Sequence, residues 1–145
     1  MQWYVLDEKK KCISFLTPWG FLFTLVSLDG SLCVWNLSDG RCMAVASYIL
    51  SASPTSIVAL PGGNQVACAG KHNKIEIVDL RQLKVVRTLE AHMEWVTSLS
   101  CGAIMENSEE RAVMLSVSED NTLRYWYFQN LQDKMEWDQM PAFTV

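Results

Sequence analysis

At 145 residues, with 50% hydrophobic and 19% charged side chains, the chain can bury a sizeable core, which excludes intrinsic disorder. A formal net charge of -4 and a pI near 5.1 exclude the broad basic field that captures nucleic-acid backbones nonspecifically. Five scattered cysteines with no C-x-x-C pair exclude a zinc ribbon or redox dithiol and read as buried free thiols of a reducing compartment.

The opening MQWYVLDEKKKC places its charges after its apolar residues and lacks the apolar centre of a signal peptide. No run of about 18 apolar residues follows it. The expectations are a cytoplasmic location and no direct membrane insertion. FLFTLVS at 21–27 and LCVWNL at 32–37 alternate with period 2 around the turn LDGS, and SDGR leads into a third apolar run, CMAVASYI. TSIVAL at 55–60 is the next strand, and PGGN at 61–64 reads as a hairpin turn. QVACAG, KHNK, IEIVDL, RQLK and VVRTLEA then repeat strand, turn, strand, turn, strand. WVTSLSCGAI at 95–104 opens a last group that continues through AVMLSVS, EDNT and LRYWYF, with QNLQDKMEW behind it. Inside that group the acidic stretch MENSEER at 105–111 reads as a solvated loop.

Three hexamers, LCVWNL, IEIVDL and LRYWYF, align at Trp35, Val78 and Trp126, which lie 43 and 48 residues apart. WYVLD at 3–7 is a weaker echo. A repeat of roughly 40–45 residues carrying four short antiparallel strands is the pattern of a propeller blade. The predicted fold is all-β: a β-propeller segment of about three four-stranded blades, fewer than the about four to eight with which propellers close. Residues 1–20 read as the remnant of a preceding blade, 21–50 as a first, incomplete blade, 51–91 as a second, and 92–145 as a third blade with a C-terminal tail. Its end blades lack a cover, so the chain reads as a fragment whose expected protein partners are a larger complex or the remaining propeller blades, and the chain alone is expected to associate with itself or aggregate.

These residues resemble the WD-repeat family, in which a blade ends its third strand in Trp-Asp, carries Asp in the preceding turn with Ser or Thr two residues earlier, and begins with His. The third copy is similar at His92, Ser118, Asp120 and Trp126, and the first at Ser27, Asp29 and Trp35. The resemblance implies a buried structural network of those side chains. The middle copy departs from the pattern with His72-Asn73 in its turn and Val78-Asp79 for Trp-Asp, so that blade is expected to rely on packing more than on hydrogen bonds.

His92, Ser118 and Asp120 are also the residue types of a hydrolase triad. No G-x-S-x-G elbow accompanies them, and the blade reading accounts for their spacing, so no enzyme is expected. His72, between Lys71 and Lys74, reads as a solvated turn residue; without a second His or Cys at metal spacing it predicts no metal. PGGN lacks the G-K-[ST] of a phosphate loop, and no cofactor is expected.

Within the family, the order DGRCM, IEIVDLRQLKVVRTL, EWVTSLS and ERAVMLSVSEDNTLRYW is similar to the amino-terminal propeller of rabconnectin-type proteins, which associate with the vacuolar proton pump. That likeness implies a noncatalytic scaffold with protein partners, regulating or assembling the pump on endosomal or secretory membranes. An alternative comes from Asp79 and Arg81, which resemble the Asp-x-Arg box of substrate receptors in cullin-type ubiquitin ligases and mark a possible partner-binding site.

Overall fold

The computed structural model describes residues 12–16, 22–51, 53–90, 92–131, 134–139 and 143–144, and among them places thirteen β-strands and no helix. The WYVLD echo lies outside the described residues. Three antiparallel sheets follow one another along the chain. The first blade is β1 (Cys12–Leu16), β2 (Leu22–Ser27), β3 (Leu32–Asn36) and β4 (Cys42–Ala46); the second is β5 (Pro54–Ala59), β6 (Gln65–Gly70), β7 (Lys74–Asp79) and β8 (Lys84–Glu90). In the third, β9 (Val96–Glu106), β10 (Glu109–Ser118), β11 (Thr122–Leu131) and β12 (Lys134–Gln139) lie side by side, and β13 (Phe143–Thr144) also pairs with β11. This is the all-β propeller arc expected from the repeat.

One boundary moves. Cys12–Leu16 pairs antiparallel with β2, from Cys12↔Ser27 to Leu16↔Phe23, so the first blade has four strands and reaches into residues assigned to a preceding blade. The connection through 17–21 has the length of an ordinary hairpin loop, which leaves room for the strand.

The turn between the second and third strands is built alike in blades 1 and 3. Asp29 Oδ1 accepts the Ser31 amide at 2.9 Å, and Asp120 Oδ1 accepts the Thr122 amide at 2.9 Å. In each, the residue after the Asp has positive φ: Gly30 at 79° and Asn121 at 60°. Only Gly, Asn and Asp adopt that region at low cost, which explains the Asp-Gly and Asp-Asn pairs.

The middle sheet is apolar on both faces, and each face is buried against a neighbour. Val66, Cys68 and Val78 point to one side and join Val26, Leu32, Val34 and Leu50 in a cluster with blade 1. Ala67, Ala69, Ile75 and Ile77 point to the other and join Val96, Leu99, Met114 and Trp126 of blade 3. Strict alternation along β6 and β7 thus sends successive residues into two cores. Cys68 is buried among them, whereas Cys42 on β4 is exposed, contrary to the expectation of burial.

Backbone bonds staple each linker to the preceding blade. Leu50 N donates to Gly30 O at 3.1 Å between blades 1 and 2; His92 N donates to Asn73 O at 3.0 Å and Val96 N to His72 O at 3.3 Å between blades 2 and 3.

MENSEER is not a loop. β9 runs through Glu106 and β10 starts at Glu109, joined by Asn107 and Ser108 with φ of 51° and 66°, the two-residue hairpin that two left-handed residues make. Arg111 Nη1 meets Glu106 Oε2 at 3.0 Å across the ribbon.

A Cβ on Gly70 would be driven into the Ser53 carbonyl oxygen of the adjoining linker, while one on Gly102 would meet nothing within 4 Å. Gly70→Ala is expected to destabilise by about 1–3 kcal/mol, as overpacking does. Gly102→Ala is expected to leave the urea midpoint unchanged, and equal midpoints for the two variants would refute the close approach.

Candidate functional site

On β10 and β11, Ser116 faces the same side as Met114 and its cross-strand partner Trp126, so the Ser116 hydroxyl and the Trp126 indole are diagonal neighbours. His92, delivered by the stapled linker, completes a chain. Trp126 Nε1 donates to Ser116 Oγ at 2.9 Å, and Ser116 Oγ lies 2.8 Å from His92 Nε2. His92 Nδ1 lies 3.0 Å from both Asp120 Oδ2 and Thr122 Oγ1. The carboxylate can only accept, so the imidazole proton belongs on Nδ1, and every donor then points the same way, from indole to carboxylate.

The network corrects one predicted member. Ser118 stands outside the chain: its Oγ donates to Glu94 O at 3.2 Å and accepts the Asp120 amide at 3.1 Å. Both serines lie on the same face, but Ser118 is two residues closer to the turn, about 7 Å along the strand, and out of reach of the indole.

Burial lowers the His92 pKa below 6.5, and its bond to Asp120 only partly opposes this. Burial also works to raise Asp120, but hydrogen bonds from the Thr122 hydroxyl, the Met93 and Thr122 amides and His92 outweigh it and hold the carboxyl far below its ordinary range.

Ser116, His92 and Asp120 have the connectivity of a hydrolase triad. Ser116 is 0% exposed and already accepts the indole proton, so its oxygen has no path to a substrate carbonyl.

The middle blade holds a second network that the sequence reading missed. His72 Nδ1 accepts the Lys74 amide at 3.4 Å, which leaves Nε2 to donate to Ser51 Oγ at 2.9 Å. The buried Glu76 accepts the Ser51 amide at 3.1 Å and lies 3.7 Å from His72 Nε2. His72 is therefore no solvated turn residue, and the blade has a side-chain hydrogen-bond network of its own beside its packing. The histidine sits in the turn position of Asp120, and a carboxyl group from β7 takes the linker amide that Asp120 takes from Met93 at 2.9 Å. Cys68 occupies the position of Ser116, where burial, aided by the Glu76 charge, pushes its thiol up.

In blade 1 no such chain joins the predicted residues among the described residues. Leu25 stands where Ser116 would. Asp29 caps its own turn, and Ser27 Oγ is buried with no hydrogen-bond partner. Trp35, aligned with Trp126, is half-buried on the side of β3 away from blade 2. Asp79 likewise serves its own turn, its Oδ1 accepting the Arg81 amide at 2.8 Å and the Gln82 amide at 2.9 Å, and leaves Arg81 exposed.

The stapled linkers also carry exposed apolar side chains: Tyr48 is 75% exposed, Met93 81% and Trp95 43%. Lys71, in the turn of blade 2, holds its ammonium 5.4 Å from the centroid of the Trp95 ring, a cation–π contact that fixes the indole on the surface. The sequence signal was a Trp placed just before a strand, in EWVTSLS.

Residues 83–127 match the family model of the WD domain, G-beta repeat. That segment resembles a WD40 repeat. It contains the whole relay of His92, Ser116, Asp120 and Trp126. Over 134 residues the chain is 24% identical to mitochondrial division protein 1 of Eremothecium gossypii, covering 86% of this chain and 17% of that protein. Among solved structures it resembles U3-55K (TM-score 0.74, 15% identity, 97% of this chain and 41% of that one). It is equally similar to the WD40 repeats of RRP9 (TM-score 0.74, 15% identity, 97% and 40%). The chain thus spans less than half the length of each of these proteins, and the structural likeness shows the WD40 propeller fold.

Ser116→Ala would strand the buried Trp126 indole and His92 imidazole, at about 1–3 kcal/mol each, whereas Ser118→Ala forfeits two part-buried bonds, at about 1 kcal/mol each. Chemical denaturation is expected to rank Ser116→Ala as the costlier, by about 2 kcal/mol; the reverse order would restore Ser118 to the network. The unfolded chain takes up a proton at His92 near its ordinary 6.5 while the folded one resists, so the contribution is complete above 6.5 and lost as pH falls below it. Melts on either side of pH 6.5 should show the midpoint falling on the acid side, and falling less in His92→Gln.

Proposed function

We propose that the chain is a noncatalytic protein-binding scaffold. The observation that carries this reading is the contrast between its two sets of polar and aromatic side chains. The one set with catalytic connectivity is sealed in the blade, while Met93, Trp95 and Tyr48 stand exposed on turns pinned by backbone bonds. Rigid elements that present large apolar side chains suit the capture of a protein rather than the turnover of a small substrate.

The specific role is regulation or assembly of a vacuolar-type proton pump, with the chain in the cytoplasm or peripheral on endosomal or secretory membranes. This rests on the order of sequence motifs that resembles rabconnectin-type proteins. A second reading, a substrate receptor of a cullin-type ubiquitin ligase, is favoured by the exposure of Arg81 at a turn held by Asp79.

Capture from cell extract on the immobilised chain, read for proton-pump subunits and for the ligase adaptor, tests both. Trp95→Ala is expected to reduce capture of pump subunits at least tenfold, the loss of about 1.4 kcal/mol, with the thermal midpoint unchanged. Retention of neither set of proteins would sink both roles. Adaptor capture abolished by Arg81→Ala would select the second.

A further inference from the structure

We infer that the rim where blades 2 and 3 meet binds a peptide segment that is both apolar and cationic, Met93 and Trp95 taking an apolar side chain of the partner and Glu94 and Glu119 the Lys or Arg beside it. The inference rests on the reading of the stapled turns as a protein-binding surface and adds the chemistry that they select.

Three bonds fasten the linker into blade 3 to the turn ahead of β11. Met93 N donates to Asp120 Oδ2 at 2.9 Å, Ser118 Oγ to Glu94 O at 3.2 Å, and Glu119 N to Trp95 O at 3.0 Å. Glu94 and Glu119 enter these bonds through main-chain atoms alone, so neither carboxylate is spent on the fastening. Both residues are exposed, as are Met93 and Trp95 between and beside them. Four exposed side chains, two apolar and two anionic, are thus held together on two segments that are bonded to each other.

The charge of this rim is one-sided. Among the described residues, neither Glu94 nor Glu119 joins an ion pair, and the Asp120 carboxylate stands in the same turn as Glu119. The cations of the facing blade 2 turn are engaged: Lys71 lies on the Trp95 ring at 5.4 Å, and Lys74 meets Glu90 at 3.3 Å. Lys71 also shows, within the chain, that this indole accepts an ammonium. Carboxylates beside an exposed indole and thioether attract a segment that carries positive charge next to an apolar residue, and they repel an acidic one. The net charge of -4 gives the whole chain a field of the same sign.

Selection of a random short-peptide display library on the immobilised chain, counter-selected on Trp95→Ala, tests this. The expected result is enrichment of sequences that place Lys or Arg beside a large apolar residue. The most enriched peptide, synthesised with a fluorophore, is expected to bind the chain at least tenfold more weakly after the double substitution Glu94→Lys and Glu119→Lys, and more weakly as salt rises. Trp95-dependent enrichment of neutral or acidic peptides overturns the inference and leaves the turns as a protein-binding surface. So does a basic peptide that binds the charge-reversed chain as well as the unaltered one. Enrichment that is absent or indifferent to Trp95 overturns the surface and the inference together. If the charge-reversed chain melts, Glu94→Gln with Glu119→Gln, which keeps the side-chain shape and removes the charge, decides by the same two readouts.

Discussion

The arc depends on a sheet that is apolar on both faces. A four-stranded antiparallel sheet of this size cannot hide two apolar surfaces by itself, and no helix among the described residues covers either one. Burial at about 25 cal/mol per Å² must come from the neighbouring blades, so the blades are stable as a stack rather than as units. The alternation along β6 and β7 is the local device for this. Ala67 and Ala69 send their methyl groups into one junction while Val66 and Cys68 fill the other. Small residues in the middle of the sheet let the stack close tightly, and the larger Trp126 and Met114 fill the space from the blade 3 side.

The polar networks fix a geometry that packing alone would leave loose. In blade 3 the indole, hydroxyl, imidazole and carboxylate are aligned with one donor direction, so each bond polarises the next. Only the carboxylate end is anchored to amides, at Met93 and Thr122, and this ties the linker into blade 3 to the turn ahead of β11. Blade 2 ties its linker to its turn with different residues, a histidine in the turn and a glutamate on β7. The shared requirement is a buried acceptor for the linker amide. Which side chain supplies it is free to vary, provided no buried partner is left alone.

Period-2 alternation and turn composition made most of the strands legible, because these signals are local. Cys12–Leu16 escaped because five residues behind a charged run give too little alternation to stand out. The choice between Ser116 and Ser118 was not legible either: both point to the same face, and reach to an indole ten residues away depends on a diagonal across two strands. The Ser51–His72 bond joins residues 21 apart that only the linker crossing brings together. The same physics explains why a residue-based family model matches 83–127 while the backbone likeness spans 97% of the chain. Blade 2 keeps the anchor points and replaces the side chains.

The β9–β10 ribbon places change where it costs the core little. From Ala112 to Glu109, β10 pairs only with β9, so the hairpin stands about 13 Å clear of the last rung it shares with β11. Its tip carries Met105, 71% exposed, and the Arg111–Glu106 pair. Rungs that pair with no other described strand can unzip and rezip without opening the blade, so the ribbon is a lever arm mounted on a fixed frame. Insertions or substitutions there would alter reach and surface character while the stack beneath keeps its shape, which makes this the place where otherwise similar arcs can diverge.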